Sequence, residues 1–585
     1  MKQFFKIIFG SALGFFIANI LLLFVVIGLL SLVAVNSNKD FKLKNNSVFR
    51  LKIEGEIIDR SQNNFFAELF GTVNVSQTGL DDILESIAKA KANDQIKGIF
   101  FDVSATAVGV SSAREIRNAL LDFKESGKFI VANGGMYTQT TYYIASVADD
   151  ISLNPSGMIE FRGLASTPVF YKNALEKLGI EVQLVKVGTY KSFAERFTNT
   201  EMSDENREQV SGFLHSVWGA MIDDISASRN ISKENLNQYA DEMMMFQPAE
   251  KAVQYRLVDS LMYSDEVGNL LASKMDLTSE KDIEYVTLDN MMSLPAAKKS
   301  YDKEKIAVVY MIGDIDGGSS FGNDGINSDR ITKILREIND DENIKAVVVR
   351  INSPGGSAYG SEQIWRALSL VREKKPVIVS MGDYAASGGY YIAVAGDSIV
   401  AQPTTLTGSI GIFGLVPNVK GLTDKLGIDF DVVKTNEKSD MPSLNRAFTS
   451  QERDLMQAFV NRGYNLFVKR CAKGRNMTEE EIRAVAEGRV WSGETALKLG
   501  LVDKLGGLEK AISIASEKAD IESFRLVEYP KKKDFLATLM ESFSGNIQTK
   551  ALKMQMGENY RHYIKLKEVE QMGKIQAVLP FDIKF

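Results

Sequence analysis

The stretch Gly382-Asp383-Tyr384-Ala385-Ala386-Ser387-Gly388-Gly389-Tyr390-Tyr391-Ile392-Ala393 decides how the whole chain is interpreted. The apolar run over residues 376–381 is typical of a buried strand, and the run over residues 391–395 is typical of a helix packed on a sheet. Ser387 therefore lies where a strand passes into a helix, between two alanines and two glycines. This pattern resembles a nucleophile elbow, although the residues are not G-x-S-x-G. A glycine-serine turn without any chemistry explains the same stretch.

The composition limits the classes of function. At 585 residues the chain exceeds one domain, and its apolar fraction of 45% is ordinary for a globular protein. The net charge of -6 does not suggest a nucleic-acid partner. The single cysteine, Cys471, excludes an intramolecular disulfide and a tetrathiolate metal site. We expect neither a metal nor a cofactor.

Histidine is rare, and this shapes the catalytic hypothesis. His215 lies in an apolar helical pattern and His562 in a charged stretch near the C-terminus, so neither suits a Ser-His-Asp triad. If Ser387 is a nucleophile, its base is expected to be another residue. Lysine is the main alternative, because burial lowers its pKa and makes it neutral.

A long apolar segment lies near the N-terminus. Residues 7–35 carry no charged side chain and follow Lys2 and Lys6. A membrane span needs about 20 apolar residues, whereas the apolar region of a cleaved signal peptide has about 7–15. We expect an uncleaved, single-pass transmembrane helix with a cytoplasmic N-terminus and an exported catalytic part. A long signal peptide is the alternative.

The chain contains an internal repeat. Tyr142-Tyr143-Ile144-Ala145 matches Tyr390-Tyr391-Ile392-Ala393 at a spacing of 390 − 142 = 248 residues, and Lys177-Leu178-Gly179-Ile180 matches Lys425-Leu426-Gly427-Ile428 at the same spacing. Lys97-Gly98-Ile99 corresponds to Lys345-Ala346-Val347 in the same register, so one register holds over about eighty residues and indicates two homologous domains. The predicted divisions are an anchor and tether (1–46), a first domain (47–290), a linker (291–305), a second domain (306–530) and a helical C-terminal extension (531–585), in which residues 575–580 are a candidate closing strand.

Both halves alternate strand-like and helical runs, which predicts an α/β fold with mainly parallel sheets. In the second half, residues 346–351, 377–381, 398–401 and 430–434 are predicted strands. Ligands bind at the carboxyl ends of such strands, where the loop Asn352-Ser353-Pro354-Gly355-Gly356 and the Ser387 turn are placed. The glycines of this loop are suited to offer backbone N–H groups to an oxyanion.

The repeat separates the chemistry of the two halves. At a spacing of 248 residues, Gln139 takes the place of Ser387 in the first half, and Ser439 takes the place of Lys191 in the second. One domain therefore lacks the serine and the other lacks a lysine at matching positions.

Three motifs together resemble the long, duplicated type of signal peptide peptidase in the S49 family of serine proteases. They are the Gly355-Gly356 loop, the Ser387 stretch and Gly188-Thr189-Tyr190-Lys191-Ser192. The resemblance covers nearly the whole chain. It implies two tandem crotonase/ClpP-like domains behind a membrane anchor, with Ser387 as nucleophile and Lys191, from the other half, as general base. Spacing alone leaves other lysines, such as Lys186, equally open.

The resemblance also implies a homotetramer on the inner (cytoplasmic) membrane that degrades the signal peptides left after cleavage. The oxyanion is expected to be bound near Gly355 or Gly356 and Gly388. Because Glu195 lies one turn beyond Lys191 and would keep it charged, we expect its carboxylate to point away from the site. Two alternatives remain open: an acyl-CoA hydratase-like enzyme on the same fold, and a non-enzymatic membrane scaffold.

Overall fold

The computed structural model describes residues 41–61, 77–295, 303–316, 325–532 and 576–578, together with positions 10, 14, 15, 17 and 18. Among the helices within these ranges, none is long and apolar enough to cross a membrane. The transmembrane helix predicted over residues 7–35 lies outside the described residues except for those five positions. The helix expected after residue 535 lies outside them entirely. The predicted closing strand is confirmed at Gln576–Val578.

The first half is built on a parallel six-stranded sheet in the order β10-β1-β4-β6-β7-β9. Its central strands are apolar on both faces because helices cover both faces. The strands of this half are β1 (Ser47–Lys52), β2 (Gly55–Ile58), β3 (Gln77–Gly79), β4 (Ile96–Val103), β5 (Thr106–Ala107), β6 (Phe129–Tyr137), β7 (Asp150–Ile159), β8 (Glu181–Val187), β9 (Ser260–Leu261) and β10 (Glu284–Val286). The helices are α1 (Leu80–Ala92), α2 (Val110–Lys124), α3 (Gln139–Ala145), α4 (Lys172–Leu178), α5 (Glu195–Thr198), α6 (Asp204–Arg229), α7 (Lys233–Asp241), α8 (Ala249–Gln254), α9 (Ser264–Lys274) and α10 (Leu288–Ser293).

The second half repeats this plan with an eight-stranded sheet whose main path is β18-β16-β14-β12-β11-β20. All of its pairings are parallel except the one between β16 and β18. The strands are β11 (Lys305–Ile312), β12 (Ile344–Ser353), β13 (Gly355–Ser357), β14 (Val377–Ala386), β15 (Ser398–Ala401), β16 (Leu406–Gly408), β17 (Ile412–Asn418), β18 (Val490–Ser492), β19 (Lys504–Leu505), β20 (Arg525–Tyr529) and β21 (Gln576–Val578). The helices are α11 (Ser328–Asp340), α12 (Ala358–Arg372), α13 (Gly388–Ala393), α14 (Lys420–Lys425), α15 (Ser450–Arg475), α16 (Glu479–Val485), α17 (Gly493–Lys498) and α18 (Leu508–Lys518).

The repeat found in the sequence is present in the fold. Helix α2 and helix α12 begin and end 248 residues apart, and each follows a central strand of its sheet. The prediction of two tandem α/β domains with mainly parallel sheets is confirmed.

One strand crosses from the first domain to the second. Strand β8 pairs antiparallel with β17 over seven residues, from Ile412 opposite Val187 to Asn418 opposite Glu181. The segment that follows β8 is therefore laid against the second domain. That segment contains Lys191.

The strand predicted over residues 430–434 is wrong for the single chain. These residues adopt no regular structure, and Phe430, Val432 and Val433 are exposed. Their apolar pattern suits a strand, but a strand needs a neighbour to complete its hydrogen bonds. Within the described part of the chain no strand pairs with them.

Candidate active site

Ser387 occupies the turn predicted from the sequence. Strand β14 ends at Ala386, helix α13 begins at Gly388, and the serine between them has φ 55° and ψ -113°. Its backbone N–H donates to the Gly408 carbonyl at 2.8 Å. A positive φ at a residue other than glycine costs about 1–3 kcal/mol and persists only where the surroundings enforce it. The backbone is thus held in the strained form that a nucleophile elbow requires.

Lys191 and Ser387 are 196 residues apart in the sequence, but their side chains are in contact in the structure. Its Nζ lies 2.7 Å from Ser387 Oγ. The lysine is 1% exposed and the serine 0% exposed. The first domain thus contributes an amine, and the second domain a hydroxyl, to one buried contact.

The second domain also fixes the chain around Lys191. The Tyr190 N–H donates to the Glu487 carbonyl at 2.9 Å, and the Thr189 N–H donates to the Glu487 carboxylate at 3.0 Å. Gly488, with φ 77°, passes so close that a Cβ there would lie 2.7 Å from Lys191 Cβ. Only glycine fits at this position, and its backbone packs directly against Lys191.

Ser409 is the third member of the contact, and the sequence interpretation missed it. Lys191 Nζ lies 2.9 Å from Ser409 Oγ and donates to the Ser409 carbonyl at 3.2 Å. Ser409 follows β16, the strand beside β14, and is fully buried with φ 53°. Its flanking glycine, Gly408, was the available signal, but no spacing links this serine to a lysine 218 residues away.

The surroundings of Lys191 favour the neutral amine. Burial lowers the pKa of Lys191 well below its ordinary value of 10.5, because an ammonium there would lose its hydration. Glu195 does not oppose this effect: its carboxylate accepts hydrogen bonds from Ser203 Oγ at 2.6 Å and from Asn206 Nδ2 at 3.0 Å. The prediction that Glu195 points away from the site is confirmed.

The glycines expected to bind an oxyanion lie beside Ser387. A Cβ on Gly388 would lie 3.2 Å from the backbone nitrogen of Gly356, so the two loops touch at this point. The Gly355 N–H is already engaged, since it donates to Ser353 Oγ at 3.2 Å. Gly388 at the start of α13 is therefore better placed than Gly355 to present its N–H group to a ligand on Ser387, whereas Gly356 lies opposite Ala577 in the ladder between β13 and β21.

The repeat-related positions have other roles. Gln139, the counterpart of Ser387, accepts hydrogen bonds from the N–H groups of Arg162 and Gly163 at 3.1 and 3.0 Å. Ser439, the counterpart of Lys191, is exposed in a turn. His215 is exposed and bonds within its own helix, and His562 lies outside the described residues. The arrangement around Ser387 is thus confined to one place in the duplicated fold.

Comparisons with known proteins agree with this fold. The family model "Peptidase family S49" matches residues 122–278 and 369–522, and a "Clp protease" model matches residues 321–406. "Protease 4" of Salmonella typhi is 35% identical over 85% of this chain and 82% of its own length. "Protease 4" of Haemophilus influenzae is 32% identical over 86% of this chain and 84% of its own length. "Serine protease SPPA, chloroplastic" of Arabidopsis thaliana is 29% identical over 86% of this chain and 74% of its own length.

Proposed function

This chain belongs to peptidase family S49 and is a serine protease of the signal peptide peptidase type, and we propose that Ser387 is its nucleophile and Lys191 its general base. The observation that carries the proposal is the buried 2.7 Å contact between Lys191 Nζ and Ser387 Oγ. The proposed chemistry needs no histidine, and His215, the one histidine within the described residues, is exposed on helix α6. The proposed base is an amine whose neutral form is favoured by burial.

The chemistry follows from the three polar groups around Nζ. A neutral amine has two N–H donors and one lone pair. When the two N–H groups point at Ser409 Oγ and the Ser409 carbonyl, the lone pair faces Ser387. Lys191 then accepts the hydroxyl proton as Ser387 Oγ attacks the peptide carbonyl, and returns it to the leaving amine. In the second half of the reaction Lys191 accepts a proton from water, which attacks the acyl group. Lys191 then returns the proton to Ser387 Oγ as the acid product leaves.

We assign the oxyanion to the N–H groups of Gly356 and Gly388, with Gly355 shaping the loop. The negative charge that develops on the carbonyl oxygen needs donors that are already in place. Loss of one such donor typically costs about 10²–10³ in rate. The close approach of the two glycines supports this assignment.

The neighbourhood of these glycines suits an extended peptide. Strand β21 pairs antiparallel with β13 at Gly355–Ser357 and with β17 at Phe413. Strand β21 thus shows that this edge can hydrogen-bond an extended backbone, and we propose that a substrate peptide takes the place of β21, as in strand-addition recognition. We propose that its substrates are apolar segments of cleaved signal peptides, which the membrane anchor over residues 7–35 would bring close to an exported catalytic part at the inner membrane.

A direct assay separates this proposal from the two alternatives. The purified chain is incubated with a synthetic signal peptide and, separately, with acyl-CoA and enoyl-CoA thioesters. We expect the peptide to be cleaved and the thioesters to remain unchanged. Turnover of a thioester without cleavage of the peptide would favour the hydratase-like alternative, and no turnover of either would favour the scaffold.

Ser409→Ala is expected to lower kcat by about 10–10²-fold, because Lys191 loses a partner that orients its Nζ. The Ser409 carbonyl remains as a partner, so activity is reduced rather than abolished. The measurement is kcat for a fluorogenic peptide. Ser439→Ala, in an exposed turn of the same domain, is the matched control. Unchanged kcat in the Ser409 variant would remove Ser409 from the site.

The repeat supports a homo-oligomer of the tetrameric kind. At the spacing of 248 residues, β8 corresponds to residues 429–435 and β17 to residues 164–170. Strands β8 and β17 form an antiparallel ladder within the chain. In their counterparts, residues 429–435 and 164–170, the side chains of Val169, Phe430 and Val433 are exposed. We propose that residues 429–435 of one copy pair with residues 164–170 of the next. Such a head-to-tail contact gives a closed ring when the rotation between successive copies adds up to a full turn, and the proposed tetramer requires a quarter turn at each contact.

Val433→Glu is accordingly expected to break the assembly into monomers, because the charge would be buried at the contact between copies. Val433 is 97% exposed in the single chain, so folding is expected to be unaffected. Light scattering after gel filtration measures the mass, with Lys438→Glu as a neighbouring exchange outside the proposed contact. An unchanged oligomer would contradict this contact.

A further inference from the structure

Helices α2 and α12 occupy the same place in the two domains but begin differently. Helix α12 follows Ser357, whose side chain accepts a hydrogen bond from the Gly360 N–H at 3.1 Å. Helix α2 follows Gly109, which has no side chain with which to cap the helix. The first turn of α2 therefore needs an acceptor from elsewhere.

Asp383 of the second domain supplies that acceptor. One carboxylate oxygen accepts hydrogen bonds from the N–H groups of Ser111 and Ser112, at 2.8 and 3.2 Å. The other accepts from Ser112 Oγ at 2.5 Å. Asp383 of one domain thus acts as the capping acceptor for a helix of the other, and it lies on β14 only four residues before Ser387.

The glycine at position 109 has a steric reason. Its φ of -66° and ψ of 151° are open to any residue, so the backbone does not require glycine there. A Cβ at this position, however, would lie 2.2 Å from Asp383 Cγ. Gly109 leaves the space into which the Asp383 carboxylate fits.

A buried network extends the same contact. Arg350 on β12 pairs with Asp59 and with Glu115 of α2, each at 2.7 Å, and all three side chains are nearly inaccessible. Asn352 donates to Asp59 and accepts from the Tyr384 N–H at 3.0 Å, directly beside Asp383. The start of α2 and the end of β14 are thus tied together by polar groups from both domains.

We propose that Asp383 is a positioning residue, which caps α2 from across the domain boundary and thereby holds Ser387 in line with Lys191. The proposal rests on the proposed function. Lys191 and Ser387 belong to different domains, so their 2.7 Å contact depends on how the domains are docked. A displacement of about 1 Å between reacting groups is enough to cost about 10²-fold in rate. Without the Asp383 carboxylate, the Ser111 and Ser112 N–H groups lose their acceptor, and the hydrogen bonds between the end of β14 and the start of α2 are lost.

The test compares Asp383→Ala, Asp383→Asn, Gly109→Ala and the Gly109→Ala/Asp383→Ala double variant in peptide hydrolysis. Asparagine keeps one side-chain oxygen that can accept from the Ser111 and Ser112 N–H groups. We expect Asp383→Ala to lower kcat by about 10–10²-fold with KM changed less than about threefold, and Asp383→Asn to stay within about threefold of the unaltered chain. Gly109→Ala is expected to lower kcat in the presence of Asp383 but to cause no further loss in the Asp383→Ala background.

Three results would overturn the proposal: unchanged kcat in Asp383→Ala, an equal loss in Asp383→Asn, or additive losses in the double variant. If Asp383→Ala does not fold, Asp383→Asn and Gly109→Ala still decide the question. Hydrogen exchange of the Ser111 and Ser112 amides gives a readout that needs no activity, and we expect faster exchange in Asp383→Ala. An unaltered chain that cleaves no peptide would refute the proposed function. Faster exchange of the Ser111 and Ser112 amides in Asp383→Ala would still show that Asp383 caps α2.

Discussion

Ser387→Ala is expected to lower kcat for peptide hydrolysis by about 10⁶-fold, because loss of the nucleophile in a serine protease removes the covalent route altogether. The measurement is the initial rate of cleavage of a fluorogenic peptide at saturating substrate. Loss of one Oγ atom in a turn whose backbone is fixed by the Gly408 carbonyl is expected to leave folding intact.

The matched control for this variant is Ser439→Ala. Ser439 lies in the same domain but in an exposed turn, so its loss is expected to leave kcat and the thermal midpoint unchanged. Cleavage retained by Ser387→Ala with an unchanged midpoint would exclude Ser387 as the nucleophile. A collapsed midpoint would instead show that Ser387 serves the fold.

Lys191→Ala is expected to lower kcat by about 10⁴-fold or more, because within the described residues Lys191 is the ionisable group hydrogen-bonded to Ser387 Oγ. Lys186→Ala is the control. It removes a nearby lysine on β8 whose Nζ donates to the Lys191 carbonyl at a long 3.5 Å, and we expect kcat within about threefold of the unaltered chain. Loss of activity in Lys186→Ala with retention in Lys191→Ala would reverse the assignment.

The pH profile tests the same role without a mutation. Lys191 acts as a base only when neutral, which is the case above its pKa. Since burial lowers the pKa of Lys191 well below 10.5, kcat/KM is expected to rise through that lowered pKa and to be level before pH 10. A rate that rises only near pH 10 would indicate a lysine with an ordinary pKa.

The sequence could predict what is local or repeated. The small residues around Ser387 indicated the turn, and matches at a constant spacing indicated two domains before any contact was known. Lys191 could be paired with Ser387 only through the family resemblance, because the strand crossing from β8 to β17 is a property of the folded chain.

Other parts of the site could not be reached from the sequence. Ser409 is brought beside Ser387 by the pairing of β14 with β16, and Lys191 is brought to both serines by the pairing of β8 with β17. The error at residues 430–434 has a related cause, since an apolar alternating pattern indicates a strand but not whether a partner strand exists beside it. The cap from Asp383 to α2 was equally hidden, because Gly109 and Asp383 are neighbours only after the two domains dock.

Labelling with a serine-directed fluorophosphonate, followed by peptide mapping, tests the central claim most directly. We expect one adduct, on Ser387, in the unaltered chain and in Lys186→Ala, and labelling slowed by orders of magnitude in Lys191→Ala. An adduct on a different residue, or labelling of Ser387 at an undiminished rate without Lys191, would contradict it.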